Sequence, residues 1–312
     1  MKFSILGAGA LGSAMGGVLT EAGHEVWLIT RNAAHVDAIN QHGLTLRTAG
    51  VDRKVKAKAS TQPQAAGVVD CVIVLVKSAQ TEAALQAAQS LIGADTCVLS
   101  LQNGLGHEDL ISAIVGKQRV LAGKTYCGGQ MIAPGHVICG HVDKDTLIGE
   151  LDGAISPRAV HIADAFNAAG LRTTVSGNIM GTMWDKLFIN VATGAISGIT
   201  RLAYGDLYQM PQLQAVAVAA VTEAMAVAKA LGVRTSITEP VQAWHTAGAG
   251  LPFEFKPSIL QTLERGVRSE IDYINGAVVR LGAAHGVPTP VNATLLACIQ
   301  GIEKNLPAEA IM

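Results

Sequence analysis

The sequence predicts an α/β fold: a doubly wound sheet in the N-terminal part and a C-terminal all-α domain. Three observations predict it. A short apolar strand, Lys2 to Leu6, runs directly into a G-x-G-x-x-G turn, Gly7 to Gly12. β-branched runs then alternate with Ala-rich helical stretches, the pattern of βαβ units and a parallel sheet. From Met183 onward the apolar residues recur at helical spacing instead.

The first turn reads Gly7-Ala8-Gly9-Ala10-Leu11-Gly12. Gly7 allows the tight turn after the strand. Gly9 lets the backbone approach a pyrophosphate. Gly12 lets the next helix pack close, and the free N–H groups of that helix face the anion. These six residues are the expected dinucleotide-binding turn of a Rossmann-type domain. A second strand, Glu25 to Thr30, follows at βαβ spacing. An NAD site wants a carboxylate at its end, for the ribose 2′-OH. Here the strand ends Leu28-Ile29-Thr30-Arg31-Asn32, without an acid. Arg31 stands where it would pair with the extra phosphate of NADP, so NADP(H) is the expected cofactor, with NAD the lesser alternative.

Val68 to Val76 is an almost continuous β-branched run, as in a strand buried on both faces. Ala79 to Ile92 reads as a helix and Thr96 to Leu101 as the next strand. Ligands of such sheets bind at the carboxyl ends of strands. Lys77-Ser78 and Gln102-Asn103-Gly104 fall there. Arg119 to Gly149 is expected to form antiparallel strands that close the sheet. The pattern changes near Val175 to Asn178, which divides the chain into domains 1–176 and 177–312. Met183 to Ser197, Pro211 to Leu231 and Glu270 to Ala284 read as helices, with Gly232 and Gly286 as stops. Val233 to Pro257 reads as a short helix with loops.

The formal net charge of -1 argues against a nucleic-acid partner. No uninterrupted apolar run has the length of a membrane span, and the first residues do not read as a signal peptide. A cytoplasmic location is expected. The five cysteines are odd in number and form no C-x-x-C, so neither disulfides nor zinc are indicated. The nine histidines show no metal-ligand spacing and none is assigned to catalysis.

Two polar clusters interrupt the helical domain. Lys186 and Asn190 are four apart and project together, beside a stripe made by Trp184, Leu187, Phe188 and Val191. A lysine bordering such a stripe often only snorkels to water; its pairing with Asn190 after a domain junction favours a site. Ser269 and Asp272 fit a capping box, which would put Glu270 in the first turn of a helix. Pro257 suits a first helical position, with Ser258 capping that helix or binding an anion.

In order along the chain, the glycine turn, Val76-Lys77, Gln102-Asn103-Gly104, Trp184-Asp185-Lys186-Leu187 with Asn190, Pro257-Ser258-Ile259-Leu260-Gln261, Glu270-Ile271-Asp272-Tyr273-Ile274-Asn275-Gly276 and Gly286-Val287-Pro288-Thr289-Pro290-Val291-Asn292 resemble the ketopantoate reductase family. The resemblance implies NADPH-dependent reduction of 2-dehydropantoate to pantoate, a step of pantothenate biosynthesis. It implies Lys186 as general acid and Glu270 as the carboxylate that holds substrate hydroxyls, keeps the lysine charged and also contacts the cofactor. It further implies Asn190 and Ser258 as substrate ligands, Asn103 between nicotinamide ribose and substrate, and Lys77 placing cofactor and substrate. Two departures stand out. Gly194 replaces a frequent asparagine, and Thr262 a frequent acid. They keep open a D-2-hydroxyacid dehydrogenase of the same fold acting on another 2-keto acid. An alternative of another class is a non-catalytic NADP(H) sensor. The expected partner is a small-molecule 2-keto acid, with a homodimer left open.

Overall fold

A computed structural model describes residues 1–306; residues 307–312, the end of the second predicted domain, lie outside the described residues. The chain separates into two units. One holds Met1–Gln102 and His107–Ile179; the other holds Asn103–Gly106 and the chain from Met180 onward.

The strands of the first unit are β1 (Lys2–Leu6), β2 (Glu25–Ile29), β3 (Leu44–Thr48), β4 (Val51–Val55), β5 (Lys58–Ser60), β6 (Cys71–Val74), β7 (Cys97–Ser100), β8 (Val120–Thr125), β9 (Gly128–Ala133), β10 (His136–Gly140), β11 (Thr146–Glu150) and β12 (Thr173–Val175). Its helices are α1 (Ala10–Glu21), α2 (Ala33–His42), α3 (Thr81–Ala87), α4 (His107–Val115) and α5 (Pro157–Ala168). Eight strands make one sheet in the order β12-β11-β8-β7-β6-β1-β2-β5. All neighbours pair parallel except β8 with β11. The strand order reverses at β1 and β6, which is where such sheets bind ligands. The β6 and β7 residues are buried throughout, as their unbroken apolar runs require.

Two expectations change. The helix predicted over Ala79 to Ile92 is three pieces: a 3-10 turn at Ser78–Gln80, α3, and a 3-10 turn at Gln89–Leu91. Competing bonds divide it. The Gln102 amide nitrogen donates to the Val76 carbonyl and the Thr81 hydroxyl, both at 2.8 Å. At the other end the Val69 N–H takes the Leu91 carbonyl. The segment Arg119 to Gly149 also does not simply close the sheet. Only β8 and β11 join it; β9 and β10 leave to form a second sheet in the order β4-β3-β10-β9. This sheet packs on α1. A Cβ at Gly129 would lie 2.7 Å from the Ala10 carbonyl carbon, so only glycine lets β9 approach α1 that closely.

The second unit is helical: α6 (Ile179–Thr200, entering from the boundary), α7 (Tyr204–Tyr208), α8 (Pro211–Ala230), α9 (Pro240–Gly248), α10 (Ser258–Glu264), α11 (Asn275–Ala284) and α12 (Pro290–Lys304). Trp184, Leu187, Phe188 and Val191 form the buried stripe of α6, as its spacing predicts. Ala217, Ala220, Val221 and Ala224 bury one face of α8. By length and composition α8 is apolar enough to cross a membrane, with mean hydropathy 1.4. Its Glu223 nevertheless accepts the Val291 and Asn292 N–H groups at 2.8 and 2.9 Å, which holds the start of α12.

Candidate active site

In the first unit the chain leaves β1 through Gly7, at φ +104°. A Cβ there would stand 2.3 Å from the Val76 nitrogen, so both the angle and the space demand glycine. A Cβ at Gly9 would meet nothing within 4 Å, which is the room an approaching phosphate needs. No side chain caps α1 at Gly9, so its first N–H groups stay available to an anion. Gly12 serves packing, with a virtual Cβ 2.5 Å from the Gly7 carbonyl oxygen. Ala8 is fully buried, while Ala10 and Leu11 form the half-buried start of α1.

A cavity of about 540 Å3 opens beside this turn, lined by Gly7, Gly9, Arg31, Lys77, Ala83 and Ala84 among others. The carboxyl ends of β1, β2 and β6 therefore converge on it with two cations and an alanine-lined wall. Arg31 and Lys77 are exposed there. These residues fit a dinucleotide that carries an extra phosphate.

The second unit gathers the other candidates. The Lys186 ammonium donates to the Asn103 side-chain oxygen at 2.9 Å. The Asn103 amide nitrogen donates to Glu270 Oε2 at 3.5 Å. Asn103 thus stands between the lysine and the carboxylate, and all three side chains are half-buried. Asn190 follows one turn after Lys186 on α6 and is also half-buried.

Asn103 is delivered by Gly104 and Leu105. Gly104 has φ +93°, and a Cβ on it would stand 2.3 Å from the Tyr273 carbonyl oxygen. The Leu105 N–H donates to that same carbonyl at 2.9 Å. The predicted helix from Glu270 is broken into a 3-10 turn, Ile271–Tyr273, and α11, with Ile274 between them at φ -106°, ψ -93°. Continuous helix would keep the Tyr273 carbonyl for its own ladder; here it serves Leu105. Glu270 therefore sits before a 3-10 turn, not in the first turn of a long helix.

The capping box does not form either. Glu303 of α12 accepts both the Ser269 N–H, at 2.7 Å, and its hydroxyl, at 2.6 Å. Asp272 accepts from Gln300. Sequence spacing could not find Glu303, which lies 34 residues away. Pro257 flanks α10 as its cap, and Ser258 is the exposed first residue of that helix.

Gly194 is closely packed. A Cβ there would meet Ile259 Cδ1 at 3.0 Å, and both residues are buried. Gly194 lets Ile259, the residue after Ser258, pack against α6. Thr262 is buried too. Neither departure from the family pattern lies exposed. The sequence also did not single out Asp185, beside the lysine. Its carboxylate accepts from the Ser236 N–H and hydroxyl and the Ile237 N–H, at 2.7–3.1 Å, and pins the 233–239 loop to α6. No cluster of three or more His, Cys, Asp or Glu residues that could hold a metal occurs among the described residues.

Residues 3–153 match the family model described as ketopantoate reductase PanE/ApbA, and residues 178–303 match that of its C-terminal domain. The chain is 33% identical to the 2-dehydropantoate 2-reductase of Archaeoglobus fulgidus, across 98% of this chain and 99% of the relative. A crystal structure of a ketopantoate reductase from Ralstonia eutropha JMP134 superposes with TM-score 0.89 at 38% identity, covering 98% of this chain and 99% of that one. A ternary structure of D-mandelate dehydrogenase with NADH and anilino(oxo)acetate also gives TM-score 0.89, at 30% identity and the same coverage. With both family models matched in sequence order and the relatives aligned end to end, the chain belongs to the ketopantoate reductase family.

Proposed function

We propose that this protein reduces 2-dehydropantoate to pantoate with NADPH. The observation that carries the reading is the linked set Lys186, Asn103 and Glu270 on a unit separate from the dinucleotide turn. When bound, NADPH supplies the hydride that reaches the keto carbon. The keto oxygen then gains negative charge and needs a proton. Lys186 Nζ stabilises that charge as an ammonium and gives up the proton, so the product is a 2-hydroxy acid. Asn103 orients the ammonium through its side-chain oxygen. Glu270 accepts from the Asn103 amide, which favours the charged lysine through one intermediate group. Asn190 and Ser258 take the polar ends of the substrate, its hydroxyl and carboxylate. On the other unit the N–H groups from Ala10 onward hold the pyrophosphate, Arg31 reads the 2′-phosphate, and Lys77 assists in placing the cofactor. The reading places the enzyme in the cytoplasm, acting on a dissolved keto acid.

A substrate panel tests this. NADPH absorbance loss is followed with 2-dehydropantoate, with branched 2-keto acids lacking its hydroxyl, and with phenylglyoxylate. The highest kcat/KM should fall to 2-dehydropantoate. Arg31→Ala should weaken NADPH by roughly 1.5–3 kcal/mol, the worth of a charged hydrogen bond, and NADH far less. A preference for phenylglyoxylate would instead indicate a D-2-hydroxyacid dehydrogenase. NADPH binding without turnover of any keto acid would indicate a sensor.

A further inference from the structure

His35 is fully buried on α2, four residues after Arg31, and no catalytic step uses it. Both ring nitrogens are engaged. The Gly135 N–H donates to Nδ1 at 2.8 Å. A backbone N–H can only donate, so Nδ1 carries a lone pair and the ring proton of the neutral imidazole sits on Nε2. Nε2 therefore donates to the Ser13 hydroxyl, 2.9 Å away. That hydroxyl passes its own proton on to the Ala8 carbonyl, at 3.3 Å. The relay runs in one direction: Gly135, His35, Ser13, Ala8. Burial lowers the His35 pKa and so keeps the ring neutral, as this direction requires.

The far end of the relay is the second residue of the glycine turn. A bond to the Ala8 carbonyl sets the plane of the Ala8–Gly9 peptide, because that unit is rigid. Gly9 is the position left open for a phosphate. The near end is the turn between β9 and β10, and that hairpin touches the same region a second time, where Gly129 lies against Ala10 and Leu11.

We propose that His35 is a positioning residue for the dinucleotide, holding the phosphate-facing turn in its binding shape through Ser13. This inference rests on the reading that the turn binds NADP(H). A merely structural histidine would affect stability and leave cofactor affinity alone.

Ser13→Ala separates the two. It removes the hydroxyl relay and leaves His35 with Gly135. The Kd for NADPH is measured by fluorescence titration, with Tm and with kcat at saturating NADPH. The Kd should rise roughly twofold to tenfold, the worth of one neutral hydrogen bond. NADH should weaken by the same factor, because the pyrophosphate is common to both, while kcat should stay close to that of the wild type. His35→Gln should raise the Kd as well. Wild-type binding of NADPH together with an unchanged Kd in folded Ser13→Ala would overturn this inference alone. A wild type that binds no NADPH would overturn the functional reading and this inference with it.

Discussion

Glu108 lies in the first turn of α4 and is 4% exposed. Two effects oppose one another there. The helix N-terminus favours its carboxylate, usually by under about 1 kcal/mol. Burial disfavours it by more, and the pKa is pushed up to about 7 from the ordinary 4.5. Its Oε1 has no hydrogen-bond partner. Because the folded pKa is raised, the native state binds this proton more tightly than the unfolded chain does. The resulting stability is present below about pH 4.5 and is lost as pH rises through about 7. Glu108→Gln removes the ionisation. The variant should gain on the order of 3 kcal/mol over wild type at pH 8.5, with the advantage shrinking toward pH 5. His24, His35 and His141, whose pKa values burial lowers, work the other way, losing stability as pH falls below 6.5. They are common to both proteins and cancel in the difference. Thermal unfolding of both proteins across this range checks it; an equal Tm difference at every pH would refute the assignment to Glu108. At this scale the sequence was readable where chemistry is local: Lys186 and Asn190 share a face because helical spacing puts them there. Gly194 was not readable, because what fills its space is Ile259, from a different helix.

Among elements, the Asn103–Gly106 segment depends on the break between the Ile271–Tyr273 turn and α11. A positive φ and a carbonyl at 2.3 Å from the virtual Cβ both exclude a side chain at Gly104. Gly104→Ala must therefore move the segment or the Tyr273 carbonyl, and either movement draws Asn103 off Lys186. We expect kcat to fall by roughly tenfold or more, on the scale set by small misplacements of positioned groups. Strain of about 1–3 kcal/mol should lower Tm. An unchanged kcat would show that Asn103 does not depend on this contact. Strands β1, β2, β6 and β7 were legible from apolar runs and βαβ spacing, and helices α6 and α8 from apolar periodicity. The 270–284 helix was misread because periodicity continues through Ile274, whereas the bond that interrupts it comes from Leu105, far away in sequence. The β9–β10 excursion was misread for a related reason: Val/Ile/Thr alternation marks strands without saying which sheet they join.

Over the whole molecule, the dinucleotide turn and the proposed acid fall in different units. The sequence divides the chain at residue 176, since the hydrophobic pattern changes near there. Contacts instead assign Asn103–Gly106 to the helical unit, through bonds to Lys186, Glu270 and Tyr273. Cofactor binding and proton donation should accordingly be separable by mutation. The most direct test is Lys186→Ala, assayed with saturating NADPH and 2-dehydropantoate beside an NADPH titration. The expected kcat loss is on the order of 10²–10⁴-fold, the usual worth of a positioned acid, with the NADPH Kd within about twofold of wild type. Normal turnover by the folded alanine variant would contradict it.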